Sequence, residues 1–202
     1  MKISFVSIED GITALGFRKM ASFARSIHPS TEVCYLPLTN AYNPLRFLFK
    51  PGEHDRVYSD ADLDSMASHF AKSDLVCFSS MTAYSDLTKE IIQLTKKINP
   101  KTYIIWGGIH PIVHPEDAIE YPDAICVGEG ETAFKLFLSS FKEGSDYTST
   151  KNFWFNHNGK IIRNDFLPLH TSEEMDQFPF LLYADNELIF KHGKGFVPQN
   201  TN

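Results

Sequence analysis

Runs of apolar residues alternate with segments of helical periodicity along roughly the first 140 residues. Five short runs carry almost no polar interruption, the pattern of strands buried on both faces of a sheet. They occupy residues 2–8, 32–38, 74–80, 102–108 and 123–128. Between them, apolar residues recur three or four positions apart. This spacing predicts helices near residues 13–27, 62–70, 87–98, 114–119 and 131–141.

Strands that alternate with helices predict a parallel sheet covered on both faces. We therefore expect an α/β fold with a Rossmann-like (flavodoxin-like), doubly wound, parallel five-stranded sheet. Residues 40–60 interrupt the alternation with two prolines and a glycine. They are interpreted as a long insertion of the kind that often carries function.

The pattern changes after about residue 145. Residues 152–164 contain two β-rich runs around Asn158-Gly159, which predicts a β-hairpin. The residues after this hairpin are polar and aromatic and show no periodicity. The segment from Lys191 onward is interpreted as a linker. We expect a ligand-binding domain over residues 1–145 and a hairpin with a connector over residues 146–202.

Composition narrows the possible functions. With 202 residues, 43% of them hydrophobic, the chain can build one full core. The net charge of −6 argues against nucleic acid as a partner. No apolar run is long enough for a membrane span. Cys34, Cys77 and Cys126 each lie in an apolar run without metal-ligand spacing, so we expect reduced thiols and a cytoplasmic protein.

Small and polar residues follow four of the five predicted strands. In an open parallel sheet, ligands bind at the carboxyl ends of the strands. Glycine there lets a ligand approach the backbone, and hydroxyl groups can hydrogen-bond to it. The candidate cofactor-binding residues at these ends are Asp10, Thr13, Ala14, Leu15 and Gly16; Ser79, Ser80, Met81 and Thr82; Gly107, Gly108, Ile109, His110 and Pro111; and Val127, Gly128, Glu129, Gly130 and Glu131.

Simpler interpretations of these residues stay open. The Gly107-Gly108 pair also suits a tight strand–helix turn, and the serine and threonine hydroxyls suit turn or cap positions. Glu129 and Glu131 also suit the start of a helix, where the dipole favours acidic residues. The sequence has no GxGxxG after its first strand and no GxxxxGKS/T, which argues against a dinucleotide or P-loop site.

The order of these motifs resembles one family. Ser79-Ser80-Met81, then GGIHP at 107–111, Pro115-Glu116 and VGEGE at 127–131 are similar to the cobalamin (B12)-binding domain of B12-dependent radical SAM enzymes. The resemblance implies that the nucleotide tail of cobalamin enters the sheet between these loops. Ser79 would then hydrogen-bond to the tail, and Gly107 and Gly108 would leave room for it.

Two departures qualify what the resemblance implies. In methionine-synthase-like modules the first loop carries Asp-x-His-x-x-Gly, whose histidine ligates cobalt. Here Ile12 stands at the histidine position, so we expect cobalamin to bind base-off without a histidine from this loop. His110 can approach the ligand, but no residue is assigned as a metal ligand. We also expect that replacing Gly108 with leucine blocks ligand entry and leaves the fold intact.

The second departure is the missing CxxxCxxC motif of radical SAM enzymes, without which this chain cannot hold their iron–sulfur cluster. The chain alone is therefore not expected to be catalytic. S-adenosylmethionine and the 4Fe–4S cluster would belong to a full-length enzyme, a methyltransferase or a relative, with the radical SAM barrel in cis. A standalone cobalamin carrier or sensor, or a flavin- or nucleotide-binding protein of the same fold, stays open as an alternative.

Overall fold

The computed structural model describes residues 1–9, 14–38, 58–157, 159–181 and 187–199. The insertion predicted at residues 40–60 therefore lies outside the described residues, except for its last three positions. Nine strands are found in the described ranges: β1 (Ile3–Ile8), β2 (Glu32–Tyr35), β3 (Leu75–Ser80), β4 (Tyr103–Gly107), β5 (Ala124–Cys126), β6 (Phe153–His157), β7 (Lys160–Arg163), β8 (Leu188–Lys191) and β9 (Gly195–Pro198).

The helices fall between these strands. They are α1 (Leu15–Ile27), α2 (Asp60–Phe70), α3 (Ser85–Ile98), α4 (Ile109–Val113), α5 (Pro115–Ala118), α6 (Gly130–Glu143) and α7 (Ser172–Met175), and a 3-10 turn (Thr82–Tyr84) precedes α3. The five predicted helices correspond to α1, α2, α3, α5 and α6. No helix among the described residues is long and apolar enough to cross a membrane.

All nine described strands join one sheet in the order β7-β6-β5-β4-β3-β1-β2-β8-β9. Its centre is parallel and runs β2-β1-β3-β4-β5. The chain moves outward from β1 to β2, returns to the other side of β1 for β3, and continues in that direction. The topological switch point thus lies between β1 and β3. The predicted α/β, flavodoxin-like fold is confirmed.

Two apolar layers enclose the sheet. On one face, α2 and α3 pack Phe70, Ile91 and Ile92 against β1, β3 and β4. On the other face, α1 and α6 pack Phe17 and Phe134 against the same strands. Every residue of β1 is buried, as expected for a strand with helices on both sides.

The sheet extends beyond the five predicted strands at both edges. The predicted hairpin is present as β6–β7, and β6 pairs antiparallel with β5. The prediction of a linker from Lys191 onward is wrong, because Lys191 ends β8 and pairs with Gly195 at the start of β9. β8 also pairs with β2, and Phe190 at its centre is 2% exposed. Only Phe190 is fully buried in these two strands, so they lack the long apolar run that marked the central strands. The division near residue 145 stays a prediction.

Candidate functional site

A cavity of about 370 Å³ opens at the carboxyl edge of the parallel strands and runs between the sheet and helices α1 and α6. Its walls on the sheet side are apolar and come from alternate positions of neighbouring strands, such as Phe5, Cys77 and Ile105. Phe17 and Phe134 line the helix side. The cavity lies at the end of the sheet where a switch-point ligand is expected.

Most of the predicted site residues line this cavity. They are Ala14, Leu15, Gly16, Ser79, Ser80, Met81, Gly107, Gly108, Ile109, Gly128, Gly130 and Glu131. Five others, Thr82, His110, Pro111, Val127 and Glu129, are not part of its lining. Asp10 and Thr13, together with Ile12, lie outside the described residues.

Sequence reasoning missed the apolar half of the lining. The additional residues are Phe5, Glu9, Phe17, Met20, Cys77, Phe78, Ile105, Ile112, Cys126, Phe134 and Phe153. Most of them occur in strands and helices with ordinary core periodicity, so nothing in the sequence separates a residue facing a cavity from one facing another side chain. Cys77 and Cys126 were interpreted as core cysteines. They are indeed buried, and burial raises the pKa of the Cys126 thiol to about 11.

Gly107 lines the cavity at a position that could hold a side chain without a clash. A Cβ atom built on it would meet its nearest neighbours, the Cβ of Cys126 and the carbonyl oxygen of Phe78, only at 3.8 Å. These are ordinary van der Waals distances, so the protein itself does not require glycine here. The missing side chain enlarges the cavity instead.

Gly108 is glycine for a different reason. Its φ angle is +93°, and a Cβ atom would lie 2.6 Å from the carbonyl oxygen and 2.8 Å from the nitrogen of Ser80. Any side chain would therefore be strained and would collide with the backbone of β3. The expectation that Gly108→Leu leaves the fold intact is wrong. The tight-turn interpretation holds for Gly108, and the ligand-space interpretation fits Gly107.

The two serines at the end of β3 face opposite sides of the sheet. The Ser80 hydroxyl is buried, accepts a hydrogen bond from Trp106 Nε1 at 2.9 Å and lies 2.9 Å from Thr88 Oγ1. Ser79 shares the cavity face with Cys77, and its hydroxyl has no hydrogen-bond partner among the described residues. Ser7 pairs with Ser79 across the strands, and its Oγ is likewise buried without a partner in the described part of the chain.

The Gly128-Glu129-Gly130 loop is held by Asn152, which the sequence analysis did not single out. Asn152 is 3% exposed, adopts φ of 65°, and donates from Nδ2 to the carbonyl oxygen of Glu129 at 2.8 Å. Its Oδ1 accepts from the Leu167 nitrogen at 2.7 Å. A Cβ on Gly128 would lie 2.9 Å from Asn152 Cγ, so Gly128 makes room for this side chain.

The acidic residues of the same loop have partners in the protein. Glu129 Oε2 lies 2.6 Å from His170 Nδ1, which ties the loop to the segment after the hairpin. Glu131 lies in the first turn of α6, pairs with Lys19 Nζ at 3.0 Å and lines the cavity. Glu9 also lines the cavity, where burial raises the pKa of its carboxyl.

His110 lies away from the cavity. Its ring stacks on Trp106 with centroids 4.9 Å apart, and Nε2 lies 2.9 Å from Asp117 Oδ2. Trp106 belongs to the core cluster on the opposite face of the sheet. This placement gives His110 a packing role in the described structure.

Comparisons with known proteins relate the chain to proteins of one kind. Residues 54–138 match the family model of the B12 binding domain. These residues are thus similar to a B12-binding domain. The chain is 26% identical over 113 residues to an uncharacterized methyltransferase of Pyrococcus horikoshii, covering 54% of this chain and 24% of that protein.

Two solved structures share the fold of this chain. One is the radical S-adenosylmethionine methyltransferase TsrM from Kitasatospora setae with cobalamin and a 4Fe–4S cluster bound, with a TM-score of 0.57 and 14% identity over 86% of this chain and 30% of TsrM. The other is the cobalamin-dependent S-adenosylmethionine radical enzyme OxsB with aqua-cobalamin bound, with a TM-score of 0.56 and 18% identity over 86% of this chain and 23% of OxsB. The chain thus spans less than a third of the length of these proteins.

Proposed function

We propose that the chain contains a B12-binding domain, which holds cobalamin with the nucleotide tail inserted between the sheet and helices α1 and α6. The observation that carries the proposal is the cavity at the strand ends, which Gly107 lines and where a Cβ atom at Gly107 would make only ordinary van der Waals contacts. Its volume of about 370 Å³ lies within the roughly 300–1,000 Å³ typical of small-molecule sites.

The chemistry of the walls suits the tail of cobalamin. The tail ends in a flat, largely apolar dimethylbenzimidazole ring, which matches the Phe5, Ile105 and Phe134 surfaces. Burying such a ring is favourable because the apolar surfaces of both the ring and the cavity wall are removed from water. The hydroxyl of Ser79 supplies a hydrogen-bonding group at the cavity face, where the ring and its sugar need a polar partner.

The rim of the cavity offers a surface for the corrin ring. Four large apolar side chains there are between 47% and 58% exposed: Leu15, Met81, Ile109 and Ile112. Exposed apolar residues grouped at a cavity mouth mark a binding surface more often than a solvated one. Glu9 and Glu131, beside them, can accept hydrogen bonds from the amide groups that surround the corrin ring.

We further propose that cobalamin binds base-off and without a lower histidine ligand from this domain. No histidine occurs among the described residues that line the cavity, and His110 packs against Trp106 on the other side of the sheet. The first loop carries Ile12 where a cobalt-ligating histidine would stand.

In the wider protein, we propose that this domain serves a cobalamin-dependent radical SAM methyltransferase. TsrM and the Pyrococcus horikoshii relative are both described as methyltransferases, which supports this class. Cobalamin would supply the transferable methyl group, while the domain binds and orients it. Residues 146–202 would connect residues 1–145 to the barrel that binds S-adenosylmethionine and the 4Fe–4S cluster. The three buried, free cysteines support a cytoplasmic setting.

The test is retention of cobalamin by the purified chain. After incubation with hydroxocobalamin and desalting, we expect one cobalamin per chain with a base-off absorbance spectrum. Flavin mononucleotide and ATP, carried through the same procedure, should not be retained. Loss of cobalamin during desalting together with retention of the flavin would overturn the proposal. A retained base-on spectrum would overturn the tail-in geometry alone.

A further inference from the structure

A second cluster of ligand-type side chains lies far from the cavity in the fold. Glu32 and Cys34 belong to β2, and His69 lies in the last turn of α2. One carboxylate oxygen, the thiol sulfur and one imidazole nitrogen from these residues all lie within 4.8 Å of one another. Cys34 belongs to the core cluster on the face opposite the cavity.

The contacts inside this cluster converge on a single oxygen atom. Glu32 Oε1 lies 2.7 Å from His69 Nε2 and 3.7 Å from Cys34 Sγ. The other carboxylate oxygen, Oε2, points to Lys2 Nζ at 3.5 Å. A Glu–His ion pair accounts for the short contact, but it does not require a thiol beside it. The convergence of the imidazole and the thiol on one carboxylate oxygen therefore needs a further explanation.

We infer that Glu32, Cys34 and His69 form a zinc-binding site. Zinc takes sulfur, nitrogen and oxygen ligands at about 2.0–2.3 Å in a tetrahedron, which places ligand atoms roughly 3.3–3.6 Å apart. The sulfur–oxygen distance of 3.7 Å already fits this arrangement. The Glu–His contact of 2.7 Å has to open by at least about 0.6 Å to admit the ion. Water completes the fourth position.

The surroundings of the cluster support the assignment. Ser4 Oγ donates to Glu32 Oε1 at 3.0 Å and also lies 2.9 Å from Ser73 Oγ. These contacts fix the orientation of the Glu32 carboxylate. Such outer contacts fix metal ligands in place. The side chains of His69 and Glu32 are 22% and 21% exposed, which gives an ion a path to the buried thiol. On binding, the thiol releases its proton to solvent and coordinates as thiolate.

The position of the site indicates a structural role. The ring of His69 lies 4.4 Å from that of Phe196 in β9. A metal bound here would connect α2 to β2, beside the β8–β9 hairpin that extends the sheet beyond β2. Zinc is therefore expected to stabilise this edge of the domain, and this expectation does not depend on cobalamin binding.

The experiment uses the metal-stripped, untagged chain without cobalamin. Zinc affinity is measured by competition with a chromophoric chelator, and Co²⁺ serves as a spectroscopic substitute whose thiolate charge-transfer band reports sulfur coordination. We expect one zinc per chain, a thiolate–Co²⁺ band and a higher melting temperature with zinc. Cys34→Ser should abolish the band and weaken zinc binding at least 100-fold, and His69→Gln should weaken it similarly.

Cys126→Ser is the matched control, because it removes a buried thiol from the opposite face of the sheet and should leave zinc binding unchanged. Circular dichroism verifies that each variant is folded. Zinc affinity that is equal in the unchanged chain and in folded Cys34→Ser, or the absence of a thiolate–Co²⁺ band in the unchanged chain, would overturn the assignment. Neither outcome bears on the cobalamin cavity.

Discussion

The adjacent glycines Gly107 and Gly108 should respond to substitution in opposite ways. Valine at position 107 adds three carbons in a strand where the nearest atoms to a Cβ are 3.8 Å away. Glycine within a strand costs roughly 0.5–1 kcal/mol relative to alanine. Gly107→Val should therefore leave the free energy of unfolding unchanged or raise it by up to about 1 kcal/mol. The added carbons occupy space that we assign to the cobalamin tail.

The expected loss of binding follows from this overlap. Overfilling a packed site costs about 1–3 kcal/mol, which corresponds to roughly 5–150-fold weaker cobalamin binding. Gly108→Ala, in contrast, combines a positive φ angle with a Cβ 2.6 Å from a carbonyl oxygen. The conformational cost of about 1–2 kcal/mol and a packing cost of about 1–3 kcal/mol together predict a loss of roughly 2–5 kcal/mol in unfolding free energy.

Two measurements separate the roles of these glycines. Denaturant unfolding followed by circular dichroism gives stability, and titration with hydroxocobalamin gives affinity. For a chain of this size, the loss in Gly108→Ala corresponds to a melting temperature lower by roughly 4–20 °C. Unchanged cobalamin affinity in a folded Gly107→Val variant would refute the placement of the tail. A Gly108→Ala variant as stable as the unchanged chain would refute the steric argument.

Three further predictions test other parts of the structure. Ser79→Ala should weaken cobalamin binding about 2- to 13-fold, because it removes one neutral hydrogen bond that contributes about 0.5–1.5 kcal/mol. An unchanged dissociation constant in a titration would contradict this. Bound cobalamin should slow thiol alkylation at Cys126, which lines the cavity, but not at Cys34, as read by peptide mass spectrometry; equal protection of both would place the ligand elsewhere. Burial alone would raise the pKa of Asp62, but hydrogen bonds from Ser59, the Gly193 nitrogen and His192 outweigh it and hold the pKa below the usual 3.8. The ionised carboxylate therefore stabilises the fold above pH 3.8, and this stabilisation is lost as the pH falls below that value. Asp62→Asn should be less stable than the unchanged chain at neutral pH and should lose less stability on acidification. Parallel acid unfolding profiles of the two proteins would contradict this.

The sequence predicted the parallel core because its strands are buried on both faces. Such strands appear as nearly uninterrupted apolar runs, and all five were located, with helices between them. The hairpin was also found, since Asn158-Gly159 is a strong turn signal. β8 and β9 were not predicted, because Phe190 is the only fully buried residue in them and neither has the long apolar run of the central strands.

The site was predicted in outline but not in its details. Loops at the strand ends were identified correctly as the cavity edge, because that position follows from topology. Which of two neighbouring residues faces the cavity depends on backbone direction, which the residue pattern at these loops does not reveal. The residue pattern did not separate Gly107 from Gly108, and only the family resemblance favoured Ser79 over Ser80. The role of Asn152 was also hidden, because its contacts join segments more than ten residues apart.

The central claim is that the cavity holds the nucleotide tail of cobalamin. The most direct test compares the affinity of the chain for cobalamin with its affinity for cobinamide, which has the corrin ring but lacks the nucleotide tail. The placement between the sheet and helices α1 and α6 predicts that cobalamin binds at least 10-fold more tightly, and that Gly107→Val removes most of this difference. Equal affinity for the two compounds would contradict it, because the corrin ring alone would then account for binding.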